Sequence, residues 1–187
     1  KWNGWLGINV WCTDSKWYWD MLANVKDELN RFAKYVISQS RANLTRGKKN
    51  SSKDLYNSLD SEVKVSKNSF ELSFLMEEYG VFQDKGVSGV KKKYSTPYAY
   101  TTKMPPPSKM DKWIVKKGIA PRDKDGKFIS RKSLQFMIAR SIFNNGIKPS
   151  LFFTKPFEKA FKGLNKDLVK AYKLDVEQLM KNTINNK

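Results

Sequence analysis

Hydrophobic positions along this chain follow two different periods. From residue 18 to residue 37 they recur every three or four positions, at Tyr18, Met21, Leu22, Val25, Leu29, Phe32, Val36 and Ile37. That spacing places them on one stripe of an α-helix. Asp14 or Ser15 stands where a cap belongs, and the pattern carries the helix to about Leu44. Lys26, Asp27, Asn30, Lys34 and Arg41 fall on the opposite face. A helix with so continuous a stripe needs a sheet or a second helix to cover it.

The period then drops to two. Val63 and Val65 alternate with polar residues, a turn follows at residues 66–69, and Phe70, Leu72 and Phe74 alternate again. This predicts a β-hairpin with one buried face. Before it runs a polar basic loop, Arg46-Gly47-Lys48-Lys49-Asn50-Ser51-Ser52-Lys53. After it, residues 77–84 read as a short helix ended by Gly86, where a left-handed conformation is easy.

Further along, residues 113–117 predict a short helix stopped by Gly118, and Asp123-Lys124-Asp125-Gly126 a turn. Ser130 is placed to cap a helix reaching about Asn144, with Leu134, Met137, Ile138 and Ile142 inward and Gly146 as its stop. Leu151-Phe152-Phe153 suggests a short strand. A final helix from about Pro156 carries Phe157, Ala160, Phe161, Leu164, Leu168, Tyr172, Val176 and Leu179.

Two segments stand apart from these elements. Residues 1–13 hold Trp2, Trp5 and Trp11, with Leu6, Ile8 and Val10 alternating, and read as an extended arm or short strand. Its tryptophans either fold back onto their own core or anchor on a neighbouring subunit, the kind of place where tryptophan is enriched. Residues 87–110 are the least regular, with glycines, Lys91-Lys92-Lys93, several tyrosines and Met104-Pro105-Pro106-Pro107. Consecutive prolines forbid helix and favour a stiff extended path. An irregular stretch of that length inside a compact domain is usually functional. The remainder, 14–187, has the length of one ordinary domain.

Charge adds a question rather than an answer. Thirty-six basic residues against eighteen acidic ones give a net charge of +18, which favours polyanions such as nucleic acid or acidic protein surfaces. Thirty of the basic residues are lysines, whereas arginine is the residue suited to bidentate phosphate or guanine contacts. The balance therefore fits non-specific contact better than reading of a sequence, and a lysine-plus-asparagine bias also follows from an AT-rich genome. The DNA-facing candidates are Arg46, Lys48, Lys49, Lys91, Lys92, Lys93, Lys116 and Lys117. A short lysine run is ordinarily a solvated surface; Tyr94, Tyr98 and Tyr100 beside the Lys91 run make a single-strand-binding loop the sharper alternative.

Composition narrows the chemistry. No histidine occurs anywhere, which removes the commonest general base and the Ser-His and Cys-His pairs. Cys12 is the only cysteine, so neither an internal disulfide nor a thiolate cluster can form, and a reducing site of synthesis is expected. There is no glycine-rich phosphate loop. Glu77 with Glu78, or Asp123 with Asp125, are the remaining candidates for a Mg²⁺-dependent nuclease site. Neighbouring carboxylates do not by themselves converge on an ion, so Asp123–Asp125 reads as a turn and Glu77/Glu78 as an acidic helix start. The expectation is a non-enzyme with no cofactor and no metal. The sequence has neither an apolar run long enough to span a bilayer nor the pattern of a secretory signal, so no membrane partner is expected.

The order of these pieces resembles a known family. A long helix, a basic loop, a hairpin and a short helix with terminal glycine are followed by an insertion, a helix, then glycine, proline and phenylalanine. This is similar to the tail-completion (head–tail joining) proteins of tailed phages. Leu55 and Ser58-Leu59 match the residues that open the sheet in that family. Glu78-Tyr79-Gly80-Val81-Phe82-Gln83-Asp84-Lys85-Gly86 matches an aromatic and acidic stretch ending in glycine, and Pro149, Phe152 and Ala160 match the residues that close the module. The resemblance covers about residues 20–165, apart from an insertion at 87–112. Asp54 stands where a glycine is common, and the insertion is long.

The resemblance implies an α+β fold, with a small antiparallel sheet packed against the long helix and further C-terminal helices. It implies a non-catalytic virion protein of the neck, a ring of copies between a portal or adaptor on the head side and the tail on the other. Double-stranded DNA would pass through its lumen, held without sequence preference, because phosphate contacts carry no base information. Candidates for contact between subunits are Trp2, Trp5, Trp11, Tyr98, Tyr100, Pro105, Pro106 and Trp113. The alternative is a soluble basic nucleic-acid-binding protein acting through non-specific phosphate contacts.

Overall fold

The computed structural model describes residues 22–50, 52–66 and 69–185. The expected cap at Asp14 or Ser15, the arm at 1–13 with its three tryptophans, and Cys12 lie outside these. The fold is α+β, a two-stranded antiparallel sheet packed against two long helices that also pack on each other. The helices are α1 (Ala23–Arg46), α2 (Asp54–Ser58), α3 (Tyr79–Lys85), α4 (Asp111–Lys117), α5 (Arg131–Asn145) and α6 (Thr154–Asn185). The strands are β1 (Asp60–Ser66) and β2 (Ser69–Leu75), and a 3-10 turn at Pro107–Met110 leads into α4.

From Val25 on, the helical stripe is buried as its spacing predicts, while its predicted members Tyr18 and Met21 lie outside the described residues. Val25, Leu29, Phe32, Val36, Ile37 and Leu44 of α1 are all covered. They meet the hairpin face formed by Val63, Phe70, Leu72 and Phe74 and the face of α6 that carries Leu164, Leu168 and Ala171. The hairpin pairs Val63 with Leu72 and Val65 with Phe70, and this register keeps Val63, Phe70, Leu72 and Phe74 on one side. At the centre Phe74 lies between three other rings. Its centroid is 5.2 Å from Phe153, 5.9 Å from Phe157 and 6.3 Å from Phe32, all edge-on. Such pairs contribute about 0.5–1.5 kcal/mol each beyond the area they bury.

The start of α1 differs from its prediction. It begins at Ala23, after Leu22 in a non-helical conformation whose own side chain makes no cap. The capping group comes from α6. Asp175, 1% exposed, accepts the Asn24 N–H at 3.0 Å, the Asn24 side-chain amide at 2.7 Å and the Val25 N–H at 3.1 Å. A buried carboxylate at a helix N-terminus answers both the unpaired N–H groups and the macrodipole. A mirror arrangement starts α6. Asp84 of α3, 4% exposed, accepts the Phe153 N–H at 2.8 Å, the Thr154 N–H at 3.3 Å and the Thr154 hydroxyl.

Several local expectations change. Leu151-Phe152-Phe153 is a turn and not a strand, because Leu151 takes a positive φ of 50° that a strand cannot contain. The final helix accordingly starts at Thr154, ahead of Pro156, which occupies its first turn without cost. Met137 of α5 is 45% exposed rather than inward, and Leu134 with Ala139 forms the buried side. Arg41 is half-buried rather than free on its face. Its guanidinium donates to the carbonyls of Tyr56 at 3.1 Å and Leu59 at 2.8 Å, tying α2 to α1. On α6 the predicted stripe is only part buried, with Phe161, Tyr172 and Leu179 exposed.

Other local signals hold. Ser130 accepts the Ser133 N–H and caps α5. Gly118 ends α4 in the left-handed region, and Asp123 closes its turn by accepting from the N–H groups of Asp125 and Lys127. The helix at 77–84 starts at Tyr79 and ends at Lys85, and Gly86 follows with φ 75° and ψ 178°. That is an extended positive-φ conformation and not the left-handed one expected, and it is more exclusively glycine's.

The Asp175 cap is testable. Asp175→Ala leaves two backbone N–H groups of α1 buried without an acceptor and should cost roughly 2–4 kcal/mol. Asp175→Asn keeps one acceptor oxygen and should lose about half as much. Urea unfolding of both variants measures this; an unchanged midpoint for Asp175→Ala would refute the role.

Candidate assembly and nucleic-acid surfaces

The two segments that carry the family resemblance meet in space. Val87 and Ile147 form an antiparallel bridge, with Val87 N–H to the Ile147 carbonyl at 2.9 Å and Ile147 N–H to the Val87 carbonyl at 2.8 Å. Ser150 and Leu151 donate their N–H groups to the Asp84 carbonyl, at 3.1 and 3.0 Å. The backbones come so close that side chains are excluded. A Cβ on Gly86 would stand 2.6 Å from the Ile147 carbonyl oxygen, and one on Gly146 would overlap the Val87 carbonyl. Leu55 and Leu59 share one buried cluster with Phe152, Ile37 and Leu44. Gly86 and Gly146 thus belong to the bridge, and Leu55, Leu59 and Phe152 to the cluster.

Three surfaces surround this frame. The first is basic. The Lys48–Lys49 turn at the end of α1 and the Lys116–Lys117 end of α4 are brought together, since Lys117 Nζ lies 3.4 Å from the Lys48 carbonyl oxygen. Lys49 and Lys148 line one cavity of about 250 Å³, with Asn43 and Ser150. Among the described residues none of Lys48, Lys49, Lys117 and Lys148 forms an ion pair with a carboxylate. Burial, and next the Lys148 charge, hold Lys49 below the usual lysine range. Both causes penalise the charged form, and a bound anion would relieve both.

Arg46 is exposed on the other side of α1 and lines a broad depression of about 870 Å³ with Lys34 and Arg41. Lys91, Lys92 and Lys93 lie on a separate support. The N–H groups of Lys91 and Lys92 donate to the Asn144 carbonyl at the end of α5, at 2.9 and 3.1 Å. Three cations at a helix C-terminus are favourably placed against the macrodipole. Lys92 also lies over the Tyr94 ring, 5.6 Å from its centroid, so this run has a structural use apart from any polyanion.

The second surface is aromatic. Tyr79, Phe82, Pro97, Tyr98 and Tyr100 line a groove of about 650 Å³ with Gln83. Phe82 and Tyr98 meet edge-on at 4.7 Å. Burial raises the Tyr100 hydroxyl above its usual range. Tyr79 is raised mainly by burial and also by the Asp54 and Glu77 carboxylates, against hydrogen bonding at Leu55 and Ser52. The loop is held in shape by Ser88, which bridges to the Tyr98 carbonyl and the Tyr100 N–H through its backbone, at 2.8 and 2.9 Å. Tyr98 and Tyr100 thus belong to one groove. Pro105 is half-buried and Pro106 exposed on the strand-free run beyond it, and Trp113 is exposed on α4.

The third surface is apolar, and the sequence does not announce it. Between α1, β2 and α6 an open groove of about 680 Å³ is lined by Phe70, Leu72, Phe157, Phe161, Val169 and Tyr172 among others. Met180 and Ile184 further along α6 are also exposed apolar residues. Lys148, Phe82 and Gln83 are likewise site residues that sequence reasoning misses. Lys148 lies far in sequence from Lys49, and Phe82 and Gln83 from Tyr98, and tertiary contacts bring each set together.

Among the described residues no group of three or more acidic, cysteine or histidine side chains could hold a metal ion, and no helix is long and apolar enough to cross a membrane. No protein-family model, curated protein or solved structure matches the chain.

Two readouts test the basic surface. Lys148→Ser should raise the Lys49 pKa part of the way to its ordinary value, leaving the larger effect of burial, and an NMR titration of the lysine Nζ resonances measures it. Replacing Lys48, Lys49 and Lys148 by Ser should lower the slope of log K against log salt for duplex DNA by about 0.9 for each phosphate that is no longer neutralised. An unchanged slope would remove these lysines from any DNA-facing surface.

Proposed function

We propose that this chain is a non-catalytic structural protein of a tailed-phage virion, forming a ring in the neck that joins head to tail and lets DNA pass through its lumen. The observation that carries the reading is the junction at Val87–Ile147. Of the residues behind the family resemblance, Leu55, Leu59 and Phe152 are far apart in sequence and share one buried cluster, and Gly86 and Gly146 lie against the backbone of the Val87–Ile147 bridge. A chance likeness in element order would not require its matching residues to share one core.

The exposed chemistry supports assembly. Large apolar side chains stay uncovered along α6, at Val169, Met180 and Ile184, and in the groove beside it. Extended exposed apolar surface of this kind marks sites that another protein covers. A two-stranded sheet has two free edges, and isolated hairpins are marginal unless packed or extended. In the ring reading, the partners are neighbouring copies together with portal or adaptor and tail proteins.

The lysines then take a defined part. A lumen that lets DNA slide needs attraction to phosphate without base recognition, and flexible point charges provide that better than guanidinium forks. The unpaired Lys48–Lys49–Lys117–Lys148 group also favours the second reading, a soluble basic protein that binds nucleic acid through phosphates alone. The two differ in where the protein resides.

Antibody-labelled electron microscopy of virions that encode the chain tests this. The ring reading expects label at the head–tail junction of intact particles. Label absent from purified virions, with the protein free in the infected cell and bound to nucleic acid, contradicts it and supports the second reading.

A further inference from the structure

We propose that the aromatic groove of Tyr98 and Phe82 binds the proline segment around Pro105 and Pro106 of a second copy of this chain, joining copies head to tail. This deepens the ring reading and rests on it.

The groove has the chemistry that proline segments need. Its walls are Tyr79, Phe82, Pro97, Tyr98 and Tyr100, and flat aromatic faces pack well against pyrrolidine rings. The amide nitrogen of Gln83, which also lines it, is buried with no hydrogen-bond partner among the described residues. A buried donor in that state calls for an acceptor. An extended proline run supplies one, since its carbonyls make no internal hydrogen bonds and its prolines bring no N–H to satisfy.

The segment has the matching form. Residues 103–106 belong to no helix or strand, and Pro106 has φ −59° and ψ 124°, close to polyproline geometry. Pro106 is exposed, and the stiffness of the run lowers the entropy lost on docking. Tyr100 is part of the groove wall while Pro105 follows five positions later. The segment therefore leads out of its own groove and is not among the residues that line it.

Charge gives the pairing a direction. Lys103 and Lys109 flank the prolines. At the other surface Asp54 and Glu77 act on the Tyr79 hydroxyl, and among the described residues neither forms an ion pair. In a chain with a net charge of +18, an unpaired acidic rim beside an aromatic groove complements a lysine-flanked segment. Groove and segment are different patches on one chain, so the contact is heterologous and propagates; it closes into a ring when the rotation between copies permits.

The test uses the full chain in two forms, Tyr98→Ala and the double variant Pro105→Ala/Pro106→Ala, each checked by circular dichroism for an unchanged fold. Light scattering should show each variant associating about tenfold or more weakly than the wild type, the loss expected of an interface anchor. An equimolar mixture should form dimers and nothing larger, because only one intact groove then meets one intact segment. Glu77→Lys should weaken association in the same way, and mixing it with Lys103→Glu/Lys109→Glu should restore part of it. Variants that assemble like the wild type overturn this inference and leave the ring reading standing. A wild-type chain that stays a single copy at every concentration overturns both.

Discussion

Asp84 sits where the end of α3 meets the first turn of α6, and its carboxylate accepts the N–H groups of Phe153 and Thr154 and the Thr154 hydroxyl. Its own backbone carbonyl takes the N–H groups of Ser150 and Leu151. One residue thereby fixes both the path into α6 and the angle at which that helix leaves. Once α6 is aimed, its far end carries Asp175 to the start of α1. The two long helices are each capped by a carboxylate from elsewhere in the chain. The hairpin packs against them, with Phe74 among Phe32, Phe153 and Phe157.

That dependence explains which parts were legible in the sequence. Where the determinant is local, the reading and the structure agree. The stripe from Val25 to Ile37, the alternation of Phe70, Leu72 and Phe74, the Ser130 cap and the stop at Gly118 all follow from contacts within a few residues. Where the determinant is distant, they part. The cap of α1 comes from 151 positions away, and no helix-start pattern near Ala23 announces it. Leu151 takes its positive φ because the turn must deliver the Phe153 and Thr154 N–H groups to Asp84. Arg41 reads as a solvent-facing cation until α2 presents two carbonyls to it.

The candidate surfaces divide in the same way. The grouping of Tyr98 with Tyr100 was within reach of sequence, since they share a loop. The meeting of Lys49 with Lys148, and of Lys48 with Lys117, was not, because it follows from tertiary contacts between α1, α4 and the turn before α6. The exposed side of α6 escaped for a different reason. Its apolar residues have the spacing of a buried stripe, but α1 and the hairpin cover Phe157, Ala160, Leu164, Leu168 and Ala171 and leave Phe161, Tyr172 and Leu179 exposed. Helical periodicity says which residues share a face and not how much of that face a single chain can bury. In the ring reading, the uncovered remainder is what the neighbouring proteins supply.

The most direct test of that claim is the mass of the assembled protein. Native mass spectrometry of the purified chain should give one discrete species at a fixed integer multiple of 21.7 kDa, as a closed ring requires. A spectrum dominated by the single chain, or an open-ended ladder of sizes with no favoured member, would contradict it.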